Sequence, residues 1–268
     1  MQDCDRCVHL AGLAAQWSRH SADFYKVNTT GTRNVLNAAT ANEIERFVFV
    51  STAGVYGPSV DGGCIFEDSP IPTKLGTHYE RSKRMAEELV LDDVRKNGSN
   101  ACIVCPTRVF GPGKLTEGNS LTRIMDQYES GQWRLMPGDG SATGNYVYVE
   151  DVVAGLIKAL ENGKPGQRYI LGGENLSFSE MFDLIAQHSS NPRELTHVPY
   201  WAAKLFAYGQ VTKAAVMGTS PKLTPPFVSK YFGDYRFNCE QTKVELGYRP
   251  RQVALGVKET MEWLRSKP

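Results

Sequence analysis

The run Arg46-Phe47-Val48-Phe49-Val50-Ser51 sets the fold class of this chain. It is apolar without alternation and rich in β-forming residues, which is typical of a strand buried on both faces. Such strands belong to parallel sheets that helices cover on each side. The run ends on two hydroxyls, those of Ser51 and Thr52. Because ligands of open α/β sheets bind beyond the carboxyl ends of the strands, these hydroxyls are candidates for a functional site.

The segments on either side of this strand alternate between strand and helix patterns. Upstream, residues 8–11 predict a short apolar strand and residues 21–40 a helix. Downstream, residues 61–77 are rich in Gly, Pro and Asp and predict a loop, and residues 78–96 predict a long amphipathic helix. Residues 101–106 predict another buried strand. Strand, helix, strand, helix and strand at this spacing indicate a parallel sheet with crossover helices.

The pattern changes after residue 112. We therefore divide the chain into residues 1–112, which carry the strand–helix alternation, and residues 113–268, a smaller mixed lobe that also supplies the last strand of the sheet. Segments in the second part are shorter and separated by Gly and Pro. Its predicted helices are 121–130, 149–162, 177–189, 201–216 and 253–267, and its predicted strands are 145–148 and 168–171.

Length and charge exclude several classes of protein. A chain of 268 residues can bury a full core. Its formal net charge is +1, which gives no reason to expect a nucleic-acid or membrane partner. No apolar run approaches the roughly 20 residues that span a bilayer. The first residues lack the pattern of a secretory signal, so the expected location is cytoplasmic.

The cysteines raise one alternative. Two C-x2-C pairs, Cys4/Cys7 and Cys102/Cys105, have a spacing used in zinc sites. Cys102 and Cys105 fall within a predicted strand, however, where alternation sends them to opposite faces. Free cysteine is also a common core residue. We therefore predict no metal site. His9, in an apolar strand, is likewise expected to be a hydrogen-bonded core residue.

A tyrosine and a lysine one helical turn apart are the strongest chemical signal. On the predicted helix, Tyr79 and Lys83 share one face, about 5–6 Å apart at Cβ. A nearby cation favours the phenolate and lowers the pKa of a tyrosine, which makes it a usable acid–base group. The chain has a second copy, Tyr200 and Lys204, but no strand-end hydroxyl precedes it. The first copy follows Thr52, so we take the second as structural.

Six motifs occur in register and together carry a family resemblance. The chain is similar to the extended short-chain dehydrogenase/reductase family, the NAD-dependent epimerase/dehydratase group, over residues 8–268. Two further motifs, YILGGEN (169–175) and ELGYRP (245–250), resemble its dihydroflavonol-reductase-like and hopanoid-associated sugar-epimerase-like members. The six motifs are VHLAG (8–12), VNTTGTRN (27–34), FVSTAGVYG (49–57), YERSK (79–83), PTRVFGPG (106–113) and YVYVEDV (146–152).

The resemblance implies catalytic roles for five residues. Tyr79 is the expected acid–base residue, and Lys83 is expected to lower its pKa and hold the nicotinamide ribose. Thr52 corresponds to the hydroxyl that hydrogen-bonds the substrate oxygen, with Ser51 beside it near the nicotinamide. Asn28 corresponds to an asparagine that supports the lysine. Its alternative role is to satisfy helix backbone groups.

The resemblance also implies a cofactor, NAD or NADP, and residues that line it. Leu10, Ala11 and Gly12 are expected to follow their strand along the cofactor, and Pro106 and Val109 to flank the nicotinamide. The alternative for Leu10 and Ala11 is that they are core residues. The alternative for Pro106 is that it only ends a strand. The implied fold is an α/β, incomplete Rossmann-type, doubly wound parallel sheet with a small C-terminal substrate lobe.

One expected part of this family is missing from residues 1–40. The family opens with a strand, a glycine-rich turn and a helix that together hold the cofactor pyrophosphate. Here Ala11-Gly12-Leu13 offers one glycine, and about 60 residues of strand–helix pattern are absent. The 8–11 strand would then be an exposed apolar edge. Either the chain is a truncated form of a working enzyme, which local consistency favours, or it has lost tight cofactor binding.

Two function hypotheses follow. The first is an NAD(P)-dependent oxidoreductase or epimerase that transfers hydride to or from a secondary alcohol or ketone, with a small molecule as substrate. The alternative is a truncated, non-catalytic binding or scaffold protein. The helices 21–40 and 78–96 resemble those that build a four-helix dimer interface in this family, which implies a homodimer.

Overall fold

In the part of the chain that the structure describes, nine strands form three sheets. The structure, a computed structural model, describes residues 3–267 and, among them, all side chains except that of Glu117. The main sheet is wholly parallel, with the strand order β1-β2-β3-β7. The strands are β1 (Arg6–His9), β2 (Arg46–Val50), β3 (Ala101–Pro106), β4 (Arg108–Phe110), β5 (Leu135–Pro137), β6 (Thr143–Tyr148), β7 (Arg168–Leu171), β8 (Glu174–Ser177) and β9 (Thr196–Val198).

Ten α-helices within residues 3–267 connect and cover these strands. The first crossover runs from α1 through a π-helical stretch, Tyr25–Thr30, directly into α2. A short 3-10 helix, Ala53–Tyr56, follows β2. The helices are α1 (Ala22–Phe24), α2 (Gly31–Ala41), α3 (His78–Asn97), α4 (Ser120–Glu129), α5 (Val149–Asn162), α6 (Phe178–His188), α7 (Tyr200–Met217), α8 (Pro225–Phe232), α9 (Glu240–Leu246) and α10 (Val253–Ser266).

The helix that carries the tyrosine–lysine pair has strong signals at both ends. Thr77 is the N-cap of α3, and its hydroxyl accepts from the backbone N–H of Glu80 while the Glu80 carboxylate accepts from the backbone N–H of Thr77. This capping box satisfies two backbone donors that the helix cannot pair internally. Gly98 ends the helix in the left-handed conformation at φ 66°. The prediction of a helix over 78–96 is confirmed.

Burial of the main sheet on both faces is confirmed. Side chains of β2 alternate between two core clusters: Phe47 and Phe49 pack with α2 and α3, and Val48 packs with α5. Cys105 and Cys102 of β3 divide between the same two clusters, as strand alternation predicts. The observed α/β architecture with a parallel sheet therefore agrees with the fold class predicted from the sequence.

The first strand differs from its prediction. The structure has β1 at Arg6–His9, whereas the apolar run predicted residues 8–11. Leu10 is 62% exposed, so it lies beyond the strand and not in the core. Within the described residues β1 is an edge strand that pairs only with β2. His9 is buried, and its Nε2 lies 3.1 Å from Thr32 Oγ1, which confirms its prediction as a hydrogen-bonded core residue.

The second half of the chain contributes to two sheets besides the main one. Strand β4 pairs parallel with β6, β6 pairs antiparallel with β8, and β5 pairs parallel with β9. A third core cluster joins these strands to α4, α6 and α10. The predicted helices 121–130, 149–162, 177–189, 201–216 and 253–267 all correspond to observed helices within two residues at each end. Helices α8 and α9 and strands β4, β5, β8 and β9 were not predicted.

Candidate functional site

A cavity of about 340 Å³ opens at the carboxyl ends of β2 and β3. Five of the residues predicted for the site lie in its wall. They are Ser51 and Thr52 after β2, Pro106 at the end of β3, Val109 on β4 and Tyr79 on α3. Parallel strands all end at the same edge of their sheet, which is why residues far apart in sequence meet here.

Tyr79 and Thr52 are neighbours in the wall of this cavity, and the Thr52 hydroxyl lies close enough to the phenol to oppose the rise of its pKa. The Thr52 hydroxyl accepts from the backbone N–H of Gly54 at 3.2 Å, because Thr52 is the N-cap of the 3-10 helix. This contact uses a lone pair of the hydroxyl, so its proton is available to an acceptor in the cavity. The pKa of Tyr79 is nevertheless raised to about 12, mainly because burial desolvates the phenolate.

The Lys83 ammonium is directed at the end of β2. Its Nζ donates to the backbone carbonyl of Val50 at 2.5 Å and lies 4.2 Å from the centre of the Phe49 ring. Burial lowers the pKa of Lys83 to about 8. The net shift of the Tyr79 pKa is upward because desolvation of the phenol dominates, and a lowering of that pKa by Lys83 stays a prediction.

Asn28 is fully buried and ties two segments together. Its Oδ1 accepts from the backbone N–H of Leu13 at 2.6 Å, and its Nδ2 donates to the Leu13 carbonyl at 3.3 Å and to Ser82 Oγ at 2.9 Å. The side chain thus bridges the loop after β1 to α3, next to the turn between Tyr79 and Lys83. The alternative role of satisfying its own helix backbone does not describe these contacts.

The π-helical stretch explains how Asn28 reaches these partners. One extra residue per turn widens the helix over Tyr25–Thr30, and such widened turns are frequent at functional sites. Thr29, the next residue, donates to the backbone carbonyl of Ser82 at 3.0 Å. Two adjacent side chains therefore meet α3 at the same point.

Ser51 is directed away from the phenol and into a buried polar cluster. Its hydroxyl donates to Glu87, a fully buried carboxylate on α3. Glu87 also accepts from Arg168 Nε at 3.1 Å and from Cys105 Sγ at 3.8 Å. Sequence reasoning missed Glu87. It was detectable as an acidic residue on the apolar face of an amphipathic helix, four residues after Lys83.

The loop after β1 lies beside the lysine. Leu10, Ala11 and Gly12 are exposed and stand beyond the carboxyl end of β1. A Cβ added to Gly12 would lie 3.2 Å from Asn28 Oδ1 and 3.9 Å from Lys83 Nζ. Only a small residue leaves open the space between this backbone and the ammonium. The role of Leu10, Ala11 and Gly12 in lining a cofactor stays a prediction.

The far wall of the cavity is aromatic and was not predicted. Arg108 lies within it, with its guanidinium 5.1–5.7 Å from three ring centres and one N–H donated to Tyr146 Oη at 3.2 Å. Lys230 on α8 forms an ion pair with Glu80. Neither Asp nor Glu is among the residues of the described chain that line the cavity. The aromatic lining residues are Tyr146, Phe178, Phe227, Tyr231, Tyr235 and Phe237.

The second tyrosine–lysine pair lies outside the cavity. Lys204 Nζ donates to Tyr200 Oη at 2.8 Å, and Ser229 Oγ lies 3.2 Å from the same oxygen. This direct contact lowers the pKa of Tyr200. Both residues are on the surface of α7, and neither contributes to the wall of the cavity. Contact between a tyrosine and a lysine is therefore not sufficient to identify the site.

The C-x2-C pairs do not assemble. All six cysteines are free, and no group of three His, Cys, Asp or Glu residues within 3–267 has metal-binding geometry. Cys102 and Cys105 are buried on opposite faces of the main sheet. In the part of the chain that the structure describes, no helix is both long and apolar enough to cross a membrane.

A parallel sheet with a cavity at the carboxyl ends of its strands is typical of α/β proteins that bind a ligand at that edge of the sheet. Comparison with known proteins makes the class specific. Residues 1–172 match the model of the NAD dependent epimerase/dehydratase family. The chain belongs to this family, whose members are dehydrogenases, epimerases and dehydratases, and its cofactor is NAD or NADP.

Two curated relatives and one solved structure show the similarity over nearly the whole chain. A Synechocystis protein with the provisional name dihydroflavonol 4-reductase is 28% identical, covering 99% of this chain and 78% of its own. The mouse sterol-4-alpha-carboxylate 3-dehydrogenase, decarboxylating, is 29% identical over 87% of this chain and 67% of its own. The crystal structure of gox2253 superposes with a TM-score of 0.80 at 27% identity, covering 98% of this chain and 79% of its own.

Proposed function

We propose that this protein is an NAD(P)-dependent oxidoreductase or epimerase in which Tyr79 is the acid–base residue and Thr52 holds the substrate oxygen. The observation that carries the proposal is that these two hydroxyls are neighbours in the wall of one cavity. A substrate oxygen that contacts both groups receives a proton from one and a fixed position from the other. Ser51 has a supporting role, through its hydrogen bond to Glu87.

The nicotinamide supplies or accepts the hydride when it is bound. In this proposal Lys83 and the backbone of Leu10–Gly12 hold its ribose, while Pro106 and Val109 flank the ring. The spacing of Gly12 from Lys83 Nζ supports this assignment. Asn28 acts as a positioning residue, because it fixes the Leu13 backbone next to that opening.

The protonation state of Tyr79 sets the direction in which it first acts. With a pKa of about 12, the phenol keeps its proton at neutral pH. It is therefore ready to donate that proton to a carbonyl oxygen as the hydride adds to the carbon. Alcohol oxidation requires the reverse proton transfer, from the substrate to Tyr79. Only the phenolate form of Tyr79 accepts that proton. We therefore propose that Tyr79 is the proton donor when a ketone is reduced.

We propose that the substrate carries an apolar ring system. Six aromatic side chains besides Tyr79 line the cavity in the part of the chain that the structure describes, and no carboxylate of that part lines it. Flat apolar bodies stack favourably on such walls, whereas a polyhydroxylated sugar needs many more polar partners. The names of the curated relatives, a dihydroflavonol reductase and a sterol dehydrogenase, describe ring-bearing substrates of their own.

The test compares two tyrosine variants. Reduction of a panel of polycyclic ketones is followed through NADPH and NADH absorbance. Tyr79→Phe removes the proton donor and is expected to lower kcat by a factor of about 10²–10⁴. Tyr200→Phe removes the same atom from the exposed pair and is expected to leave kcat unchanged. Full activity in Tyr79→Phe would refute the assignment of Tyr79.

The sequence leaves one rival, a binding or scaffold protein without tight cofactor affinity. Its motivation is the single glycine after the first strand. Titration of NADH and NADPH fluorescence against the chain separates the two functions. A dissociation constant below about 1 mM supports the enzyme. No binding of either nucleotide, with the chain folded by circular dichroism, supports the scaffold.

We also propose a homodimer and a cytoplasmic location. Helices α2 and α3 pack side by side on one face of the main sheet, and α3 leaves Met85 45% exposed. Free cysteines agree with a reducing compartment. Light scattering of the purified protein tests the dimer: Met85→Glu is expected to give monomer, and a monomeric wild-type mass removes the proposal.

A further inference from the structure

Helix α7 carries its large apolar side chains on the outside. Among its residues only the small Ala207 and Ala214 are buried. Trp201 is 69% exposed and Val216 is 82% exposed. Soluble proteins usually bury such residues or gather them where another surface binds. The outer apolar face of α7 consists of Trp201, Leu205, Phe206, Tyr208, Val216 and Met217, all of them exposed.

The charge of the surrounding segment is strongly biased. The chain has 29 Asp and Glu among 268 residues, yet residues 195–233 contain none. The same segment contains the lysines Lys204, Lys213, Lys222 and Lys230. The net charge of +1 for the whole chain conceals this local excess. An apolar face is thus set in a segment that carries positive charge alone.

We propose that α7 is an interfacial helix that docks the protein on a membrane surface containing anionic lipid. Exposed Trp, Leu and Phe side chains bury themselves at the headgroup boundary, and lysines bind anionic headgroups around them. Since no helix in residues 3–267 is apolar enough to cross a bilayer, α7 lies on the surface. This departs from the expectation of no membrane partner, which rested on net charge.

The charge pattern favours a membrane over a second copy of this chain. A two-fold interface through α7 would place the same patch on both sides. Lys204 and Lys213 would then share an interface with the same lysines of the second copy, and the 195–233 segment offers no carboxylate to pair with them. An anionic bilayer removes that repulsion.

The docking face is continuous with the wall of the cavity. The Tyr200 ring at the start of α7 packs edge-on against Phe232 of α8, with ring centres 5.2 Å apart. Phe227 and Tyr231 of α8 line the cavity. Docking through α7 therefore brings one cavity wall to the bilayer boundary. This placement suits uptake of an apolar substrate from the bilayer, a consequence that rests on the proposed function. The docking of α7 on the membrane does not depend on that function.

Vesicle co-sedimentation of the full chain tests the proposal. The probes are phosphatidylcholine vesicles with and without about one third phosphatidylglycerol. The apolar variant is Trp201→Ser/Leu205→Ser/Phe206→Ser, and the charge variant is Lys213→Gln/Lys222→Gln. The matched control, Val153→Ser/Ile157→Ser, removes apolar residues of α5 that are 50% and 51% exposed. Circular dichroism melting checks that each variant is folded.

We expect wild type and the control to bind the anionic vesicles and to be released by salt. The apolar variant should lose at least about tenfold in binding, and each lysine removed should cost about fivefold. Failure of the wild type to bind, or equal binding by the folded apolar variant, overturns the proposal. An oligomer that dissociates in the apolar variant without vesicle binding also overturns it, in favour of a second copy.

Discussion

The ammonium group of Lys83 is surrounded by groups from two separate segments of the chain. Its ammonium is held by the Val50 carbonyl, faces the Phe49 ring and stands next to the Gly12 backbone. Removal from water lowers its pKa to about 8, so that its charge is lost over a range in which enzymes are routinely assayed. Tyr79, with a pKa of about 12, keeps its proton throughout that range. The pH dependence of the site therefore reports on the lysine.

The first prediction concerns that pH dependence. Ketone reduction is expected to fall as the pH rises past about 8, because the ammonium that holds the ribose becomes neutral. Lys83→Arg keeps its charge and is expected to move this descending limb to higher pH, measured as kcat/KM for NADPH. Lys204→Arg, at the exposed pair, is the control and should leave the limb in place. An unchanged limb in Lys83→Arg would assign it to another group.

The second prediction concerns Glu87, which is fully buried and forms ion pairs with Arg168 at 3.1 Å and with Arg84 at 3.5 Å. Glu87→Gln leaves the partly buried Arg168 guanidinium without a counter-charge and is expected to lower the free energy of unfolding by about 3–5 kcal/mol. Urea denaturation measures the change. Glu161→Gln is the matched control, because Glu161 forms an exposed ion pair with Lys158 and its loss should cost about 0–1 kcal/mol. Equal losses in the two variants would contradict the prediction.

Predictability differs among the elements for physical reasons. Strand β3 and helix α5 were predicted with their observed bounds, because the residues that set their apolar pattern and their ends lie within or next to each element in the sequence. Strands β4, β5 and β9 have three residues each, and pairing with distant segments alone stabilises them. At β1 the apolar run continues past the strand, so composition could not show where pairing ends.

The same limit applies to the candidate site. Sequence motifs identified the residues at the strand ends, and the structure brings Thr52, Tyr79, Pro106 and Val109 into one cavity. Side-chain direction was not predictable, because it depends on competing partners. The lysine is directed at a strand carbonyl, and Ser51 at a carboxylate thirty-six residues away in sequence. The aromatic wall was missed because its members come from four separate parts of the chain: β6, α6, α8 and the loop that follows α8.

The third prediction concerns the π-helical turn. Asn28 makes three hydrogen bonds from a fully buried position, so Asn28→Ala is expected to lower the free energy of unfolding by about 2–4 kcal/mol. The loop at Leu13 loses its tether, and nucleotide affinity should weaken with it. Asn37→Ala, on the exposed side of α2, is the control for both measurements. Retained affinity in a destabilised Asn28→Ala would limit Asn28 to a structural role.

On the scale of the whole molecule, the cavity is built by parts that are distant in sequence. The main sheet supplies the floor through Thr52 and Pro106, and α8 supplies the opposite wall. The chain after α8 returns to the first half, where Ile65 and Phe237 form an isolated parallel bridge. Closure of the cavity therefore depends on long-range contacts, and we expect it to be lost before the main sheet unfolds.

The fourth prediction tests this closure through Arg108. Its guanidinium donates to Tyr146 Oη and to the Lys230 carbonyl, both at 3.2 Å, and so connects β6 to α8. Arg108→Ala removes both bonds and the contacts with the surrounding rings, each worth about 1 kcal/mol. Limited proteolysis should then cut the 218–236 segment several times faster, with the urea midpoint only moderately lower. Arg134→Ala is the control, because Arg134 is exposed and its Nε donates to the Gly131 carbonyl. We expect this variant to be cut at the wild-type rate. Proteolysis that speeds up equally across the main sheet would show that the wall and the sheet unfold together.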